Sequence, residues 1–214
     1  MKSDRQPGKI GTDAEAFWEQ HYACMTGKTS GRPSAALVRF VEGRAPGRAL
    51  DLGCARGDDV IWLARQGWVA LGVDVAEAAL RAARENAEAA GVGSSARFEQ
   101  HDLSVSFPEG TFDLITAFFF HSPVDLPRDR VLHRAAQSVA KGGLLLSVTH
   151  ASVAPWSWSD PDTVFATPQE ELAAIDLDLS QWRQVEVSAP ERLATGPRGE
   201  TAVVTDNIIA MERM

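Results

Sequence analysis

The chain has 214 residues, enough for one α/β domain with a sizeable core, and its 44% hydrophobic and 23% charged residues are those of an ordinary globular protein. A formal net charge of -8, with no run of Lys or Arg, argues against a large nucleic-acid groove, which needs a basic footprint to displace counterions. No apolar stretch approaches the roughly 20 residues of a membrane span, and Met1 to Thr12 has no apolar signal region, so a soluble, cytoplasmic protein is expected.

The two cysteines, Cys24 and Cys54, lack metal-ligand spacing and read as reduced thiols, with no metal site expected. Thr12-Asp13-Ala14-Glu15 reads as a capping box that opens a helix, with Ala14, Phe17, Trp18, His21 and Met25 on one face. Thr26 to Gly31 is a turn-rich break. Pro33 suits the first turn of a second helix, through about Glu42. A strand over Arg48 to Leu52 follows, then a helix over Gly57 to Gln66 and a strand over Trp68 to Val73. Ala76 to Ala90 carries the i, i+3, i+4, i+7 pattern of an amphipathic helix, and its mostly Ala stripe predicts close packing on a sheet.

Ala96 to Gln100 is a third strand, and Phe112 to Phe119 a fourth whose continuous apolar run suits cover on both faces. Pro127 to Ala140 reads as a helix broken by Gly142-Gly143, and Leu144 to Thr149 as a fifth strand. Ala151 to Thr167 is an irregular excursion containing Trp156 and Trp158, and Pro168 to about Ile175 is a short helix. Trp182 to Ser188 and Thr201 to Met211 are two closing strands joined by a turn-rich loop, which predicts an antiparallel edge hairpin. Strands alternating with helices predict a mostly parallel sheet of seven strands with helices on both faces.

Ligands of such a sheet bind at the carboxyl ends of its strands. Three loops there carry suitable residues. Asp51-Leu52-Gly53-Cys54-Ala55-Arg56-Gly57 is a tight turn whose small residues let backbone approach a ligand. Its glycines do not form the dinucleotide pattern G-x-G-x-x-G, and no Gly-Lys-Ser/Thr phosphate loop is present. Asp74, followed by Val75, lies 23 positions after Asp51, near the interval at which a carboxylate accepts ribose hydroxyls. Asp102 suits the exocyclic amine of adenine while Leu103 packs on the ring. Each loop has a plainer reading by itself: a strand-to-helix turn, a helix N-cap, a solvated turn Asp. Together at consecutive strand ends they are far more specific.

In order and spacing these three loops resemble the cofactor motifs of the class I S-adenosylmethionine-dependent methyltransferases. Phe112-Asp113-Leu114-Ile115 resembles that family's fourth-strand signature, and Lys141-Gly142-Gly143-Leu144 its turn into strand five. The resemblance spans Ala35 to His150, with the tail strands in outline. The aromatic helix Phe17-Trp18-Glu19-Gln20-His21-Tyr22 and His121-Ser122-Pro123 look most like small bacterial thiopurine- and tellurite-methylating enzymes. The resemblance implies a Rossmann-like fold that binds S-adenosylmethionine through Asp51, Gly53, Cys54, Ala55, Gly57, Asp74, Val75, Asp102 and Leu103, with Phe118 and Trp18 close by. Size, charge and the lack of a basic groove or appended recognition domain point to a small-molecule methyl acceptor, with no nucleic-acid or membrane partner expected, and a monomer or homodimer is expected. His121 and His150 follow strands four and five and are the candidate bases. The alternative is a non-catalytic module that binds S-adenosylmethionine or S-adenosylhomocysteine. One domain over 1–214 is expected, with a helical cap over 1–45, a cofactor core over 46–150 and a substrate-side excursion and hairpin over 151–214. Ala55 stands where the family has its middle glycine, and Ala76 where it often has a hydroxyl cap, a loss of about 1 kcal/mol.

Overall fold

The computed structural model describes residues 14–25, 29, 31–157, 160 and 162–214. Thr12 and Asp13 of the expected capping box, most of the Thr26 to Gly31 break, and Trp158 lie outside the described residues. In chain order the elements are α1 (Ala14–Ala23), α2 (Ala35–Val41), β1 (Arg48–Leu52), α3 (Asp58–Arg65), β2 (Val69–Asp74), α4 (Glu77–Ala89), β3 (Ala96–Gln100) and β4 (Phe112–Phe118). Then follow α5 (Arg128–Gln137), β5 (Val139–His150), α6 (Pro168–Ile175), β6 (Trp182–Ser188), β7 (Glu191–Thr195) and β8 (Thr201–Arg213).

The strands form one sheet in the order β3-β2-β1-β4-β5-β8-β6, and β7 pairs with the far end of β8. β1 to β5 are parallel; β8 runs antiparallel to β5, β6 and β7. The order reverses between β1 and β4, so the carboxyl ends of those strands diverge into a crevice. One face of the sheet packs Ala49, Leu114, Leu146 and Val148 under α2, α3 and α4; the other packs Leu50, Ile115, Ala117 and Leu145 under α5 and α6. Both faces of the central strands are thus apolar, as their uninterrupted runs require. The Ala stripe of α4 is buried at Ala79, Ala83 and Ala87, and these small side chains allow the close approach expected.

Two expectations are corrected. Among the described residues there are eight strands: Glu191–Thr195 lies in what reads as a turn-rich loop, yet it pairs with Thr201 to Thr205 as a hairpin arm. The helix expected to run to Ala140 ends at Gln137, because Val139 already pairs with Phe112. Gly142 and Gly143 lie inside β5, where the register against β4 shifts between Phe112 and Leu114. Gly142 takes φ 79, and a Cβ on Gly143 would meet two backbone oxygens, so the pair makes a bulge, not a helix stop.

Candidate active site

Two cavities open at the carboxyl ends of the strands. The smaller, about 120 Å³, lies beside Asp74, Val75, Asp102 and Leu103 and is covered by Ala14, Trp18 and Tyr22 of α1. These three recur every fourth residue, so one stripe of the helix faces the cavity. The larger, about 760 Å³, runs from the β1–α3 turn across Phe118, Phe119, Val148 and Ile208 to Arg192 and Asp206. Gly53, Tyr22 and Phe119 line both, so the two spaces meet at these residues.

The β1–α3 turn is shaped by three residues with left-handed backbone: Gly53 (φ 70), Ala55 (φ 48) and Gly57 (φ 84). Glycine takes this region without strain; Ala55 does so at a cost of about 1–2 kcal/mol. The peptide N–H groups of Gly53 and Cys54 both donate to the Val73 carbonyl, at 2.8 and 3.0 Å, which pins the turn to the end of β2. Asp74 then ties the two loops together. Its Oδ2 accepts the Ala55 N–H at 3.0 Å and its Oδ1 accepts the Ala76 N–H at 3.0 Å. Burial pushes this carboxyl upward, against the lowering effect of those N–H groups. Asp51 is more buried still and accepts from Thr116 Oγ1 at 2.7 Å; burial and the nearby Asp59 and Asp74 carboxylates push it well above the usual range. Asp59 accepts the Ser34 N–H at 2.6 Å and is raised to about 6, mainly by burial.

The loss of a cap at Ala76 is made good from two sides. Asp74 takes the Ala76 N–H, and Glu19 Oε2, from α1, accepts the Ala78 N–H at 2.9 Å. Ala78 is the second helical residue of α4, one of the positions a capping side chain serves. α1 is tied at its other side by Trp18 Nε1, which donates to Ser122 Oγ at 3.1 Å.

Asp51, Cys54, Ala55, Gly57 and Phe118 line the larger cavity, and Asp74, Val75, Asp102, Leu103, Trp18 and His121 the smaller. Asp102 also closes its own turn by accepting the Ser104 N–H at 2.9 Å. The tyrosine between the cavities, Tyr22, has its hydroxyl pKa raised by burial and by Asp74, so it remains a donor. His121 is partly exposed at the rim, yet partial burial and the neighbouring Arg128 and His150 pull its pKa down to about 4. His150 lines neither cavity. It stacks on the Phe119 ring, centroids 4.4 Å apart, and lies 6.1 Å from the His121 ring. Trp156 packs at Gly196, where an added Cβ would approach its ring to 2.7 Å, and it too lies outside both cavities.

Three groups at the site escape reasoning from sequence. Phe119 follows β4 with φ 49, which sets its ring between the cavities. Asp206 of β8 is 5% exposed, and its carboxylate accepts from Arg192 of β7 and lies 3.6 Å from His150 Nδ1. Although burial pushes Asp206 upward, the hydrogen bonds from His150 and Arg192 hold it below the usual carboxylate range. Behind these strand ends, on the opposite face, Glu171 accepts from Arg128 at 3.1 Å, Thr149 at 2.6 Å and Asn207 at 3.1 Å.

Comparison with known proteins fits this geometry. Residues 49–143 match the family model described as a methyltransferase domain. The chain is 33% identical over 135 residues to a ribosomal RNA small subunit methyltransferase C of Alcanivorax borkumensis, covering 59% of this chain and 40% of that one. It is 28% identical over 169 residues to the 2-heptyl-1-hydroxyquinolin-4(1H)-one methyltransferase of Mycobacteroides abscessus, covering 76% and 70%. The chain thus spans less than half the length of the first relative and about two thirds of the second. Among solved structures, a protein of echinomycin biosynthesis, associated with conversion of a disulfide bond into a thioacetal group, superposes with TM-score 0.71 at 21% identity over 94% of this chain and 93% of that one. TehB of Haemophilus influenzae superposes with TM-score 0.67 at 16% identity over 94% and 67%. Residues 49–143 thus match a methyltransferase domain, set within a fold similar to those of these solved structures.

Proposed function

We propose that the chain transfers the methyl group of S-adenosylmethionine to a small molecule. The observation that carries this is the junction of two cavities at Gly53, Tyr22 and Phe119: a smaller one of nucleoside character and a larger one that runs on past it. The residues fit the cofactor. Asp74 accepts the Ala55 and Ala76 N–H groups, one on each oxygen, and the carboxylate has further acceptor capacity that a ribose hydroxyl can use. Asp102 and Leu103 lie where an adenine amine and ring would meet a carboxylate and an apolar side chain. Gly53 fits close approach, since a Cβ there would meet the Phe120 ring at 2.8 Å.

When bound, S-adenosylmethionine supplies an already activated methyl on a sulfonium. What is left to the protein is alignment and exclusion of water. Asp51, Cys54, Ala55 and Gly57 frame the methionine end, Tyr22 and Phe119 flank the junction, and α1 covers the nucleoside. His121 is held neutral at pH 7 and is ready to take a proton from an acceptor that must lose one. The small acceptor is supported by the cavity, which is of a size for one, by the net charge of -8, and by the relative whose acceptor is a hydroxyquinolinone.

Calorimetric titration with S-adenosylhomocysteine and with NAD tests the cofactor. Binding of the first alone is expected; binding of NAD alone overturns the proposal. Turnover of radiolabelled S-adenosylmethionine with a panel of small acceptors and with RNA tests the acceptor. Binding without transfer to any of them means a non-catalytic module, and transfer to RNA alone overturns the small-molecule assignment.

A further inference from the structure

We propose that Arg192 is the acceptor-recognition residue, and that the acceptor is an apolar molecule carrying an acidic oxygen. This rests on the function proposed above and goes on to name the chemistry of the second substrate. The apolar part of the larger cavity's lining includes Met25, Ala36, Phe118, Val148, Pro190 and Ile208. Into this cavity the sheet contributes one cation among the described residues, the Arg192 guanidinium, from a strand whose only partner is β8.

That guanidinium is fixed before any ligand arrives. Its Nε and one Nη donate to the buried Asp206 carboxylate. Its carbon sits 5.9 Å from the Phe119 ring centroid, a cation–π distance. A guanidinium has five N–H donors, and Asp206 takes two of them. The side chain is 44% exposed, so donors remain on the side turned from Asp206. The other charges that line this cavity come from other elements. Arg32 and Arg39 lie before and in α2, where Arg39 is engaged by Glu186 at 2.6 Å, and Asp51, Arg56, Asp58 and Asp59 lie at the end of β1, the β1–α3 turn and its helix. Glu191, exposed, is the one acidic neighbour of Arg192 in the strand. A planar fork held by one carboxylate, in an apolar setting, suits a second oxyanion at short range. A purely structural Arg192 that only neutralises Asp206 would be indifferent to the charge of the ligand.

Matched probes separate the two. The S-adenosylhomocysteine-loaded protein is titrated with 2-heptyl-1-hydroxyquinolin-4(1H)-one and with 2-heptylquinolin-4(1H)-one, which lacks the acidic hydroxyl. A second pair is 2-naphthoate and 2-naphthalenemethanol. For at least one pair the acidic member is expected to bind on the order of tenfold or more tightly than its neutral partner, the worth of one charge-assisted contact. Arg192→Ala should bring the two within about threefold, and Arg192→Lys should restore part of the gap. Preference for neither acidic member in the parent, or an unchanged preference in Arg192→Ala, overturns the proposal. S-adenosylhomocysteine affinity of the same variants is expected to match the parent. If the parent itself does not bind S-adenosylhomocysteine, the function fails and not merely the acceptor class. If Arg192→Ala proves unfolded, Arg192→Lys and Arg192→Gln carry the comparison.

Discussion

Gly53 and Gly57 sit four residues apart in one turn, and the structure gives them different tasks. A Cβ on Gly57 would lie 2.8 and 2.9 Å from the Phe98 ring and 3.0 Å from Ala83 Cβ, both buried. Its backbone is left-handed at φ 84. Left-handed strain costs about 1–2 kcal/mol and overpacking about 1–3 kcal/mol, so Gly57→Ala should lose about 2–5 kcal/mol. For a chain of this size that lowers Tm by about 4–20 °C. A Cβ on Gly53 meets only the Phe120 ring, which lines the smaller cavity and is half-buried. Gly53→Ala therefore costs the strain alone and drives Phe120 into the cavity. It should melt within about 8 °C of the parent but bind S-adenosylhomocysteine on the order of tenfold more weakly, the effect of one displaced aromatic contact. Differential scanning fluorimetry and calorimetric titration of both variants read the two effects. If Gly57→Ala melts with the parent, or Gly53→Ala binds with parental affinity, the assignment of these glycines is wrong.

The pH dependence of stability should report Asp59. Its carboxyl is raised from an ordinary 3.8 to about 6 on folding, so it holds its proton more tightly in the native chain. The stability it contributes is full below pH 3.8 and lost as pH rises through about 6. Asp59→Asn, which can still accept the Ser34 N–H, should therefore be more stable than the parent in urea titrations at neutral pH, and the gap should close on acidification. His121, pulled down to about 4, should leave transfer flat between pH 5.5 and 7, with an acid limb below about pH 5 that His121→Gln removes. A limb centred near an unperturbed histidine value would contradict the environment described. Glu171→Ala strips the partner from Arg128 and from Thr149 and Asn207 behind the strand ends; a loss of about 3–5 kcal/mol is expected in chemical denaturation.

What could be read from the sequence were features set by local pattern. The Ala stripe of α4, the apolar runs of β4 and β5 and the small residues of the β1–α3 turn each carry their own periodicity or conformational signature, and the parallel order follows from their alternation. β7 carries none: Glu191 to Thr195 is short, lies between Pro190 and Gly196, and is a strand because Thr201 to Thr205 pairs with it. Arg192 and Asp206 were hidden for that reason. They meet through the register of a hairpin and reach Phe119 across 73 residues of chain from Arg192, a contact that no local window contains. His150 was misjudged for a similar reason: it shares the cavity-side face with Val148, but its ring is taken up by stacking on Phe119, a contact between two strand ends. The stripe Ala14-Trp18-Tyr22 was only partly legible, because Phe17 and His21 offer a rival face and α1 buries no residue of its own.

That last property gives α1 a thermodynamic office. It lies across the smaller cavity and is held by polar tethers: Glu19 to Ala78, Trp18 to Ser122, and Gln100 to Glu15 at 3.1 Å. Three such bonds are worth about 2–4 kcal/mol, so lifting the helix would cost at least that much. Raising it takes from α4 the carboxylate that caps it, while any nucleoside held beneath Trp18 and Tyr22 keeps it down. Occupancy of the cavity and integrity of the first turn of α4 are therefore linked variables, each stabilising the other by the same free energy. With alanine at position 76, the first turn of α4 draws its acceptors from Asp74 and from Glu19 of α1.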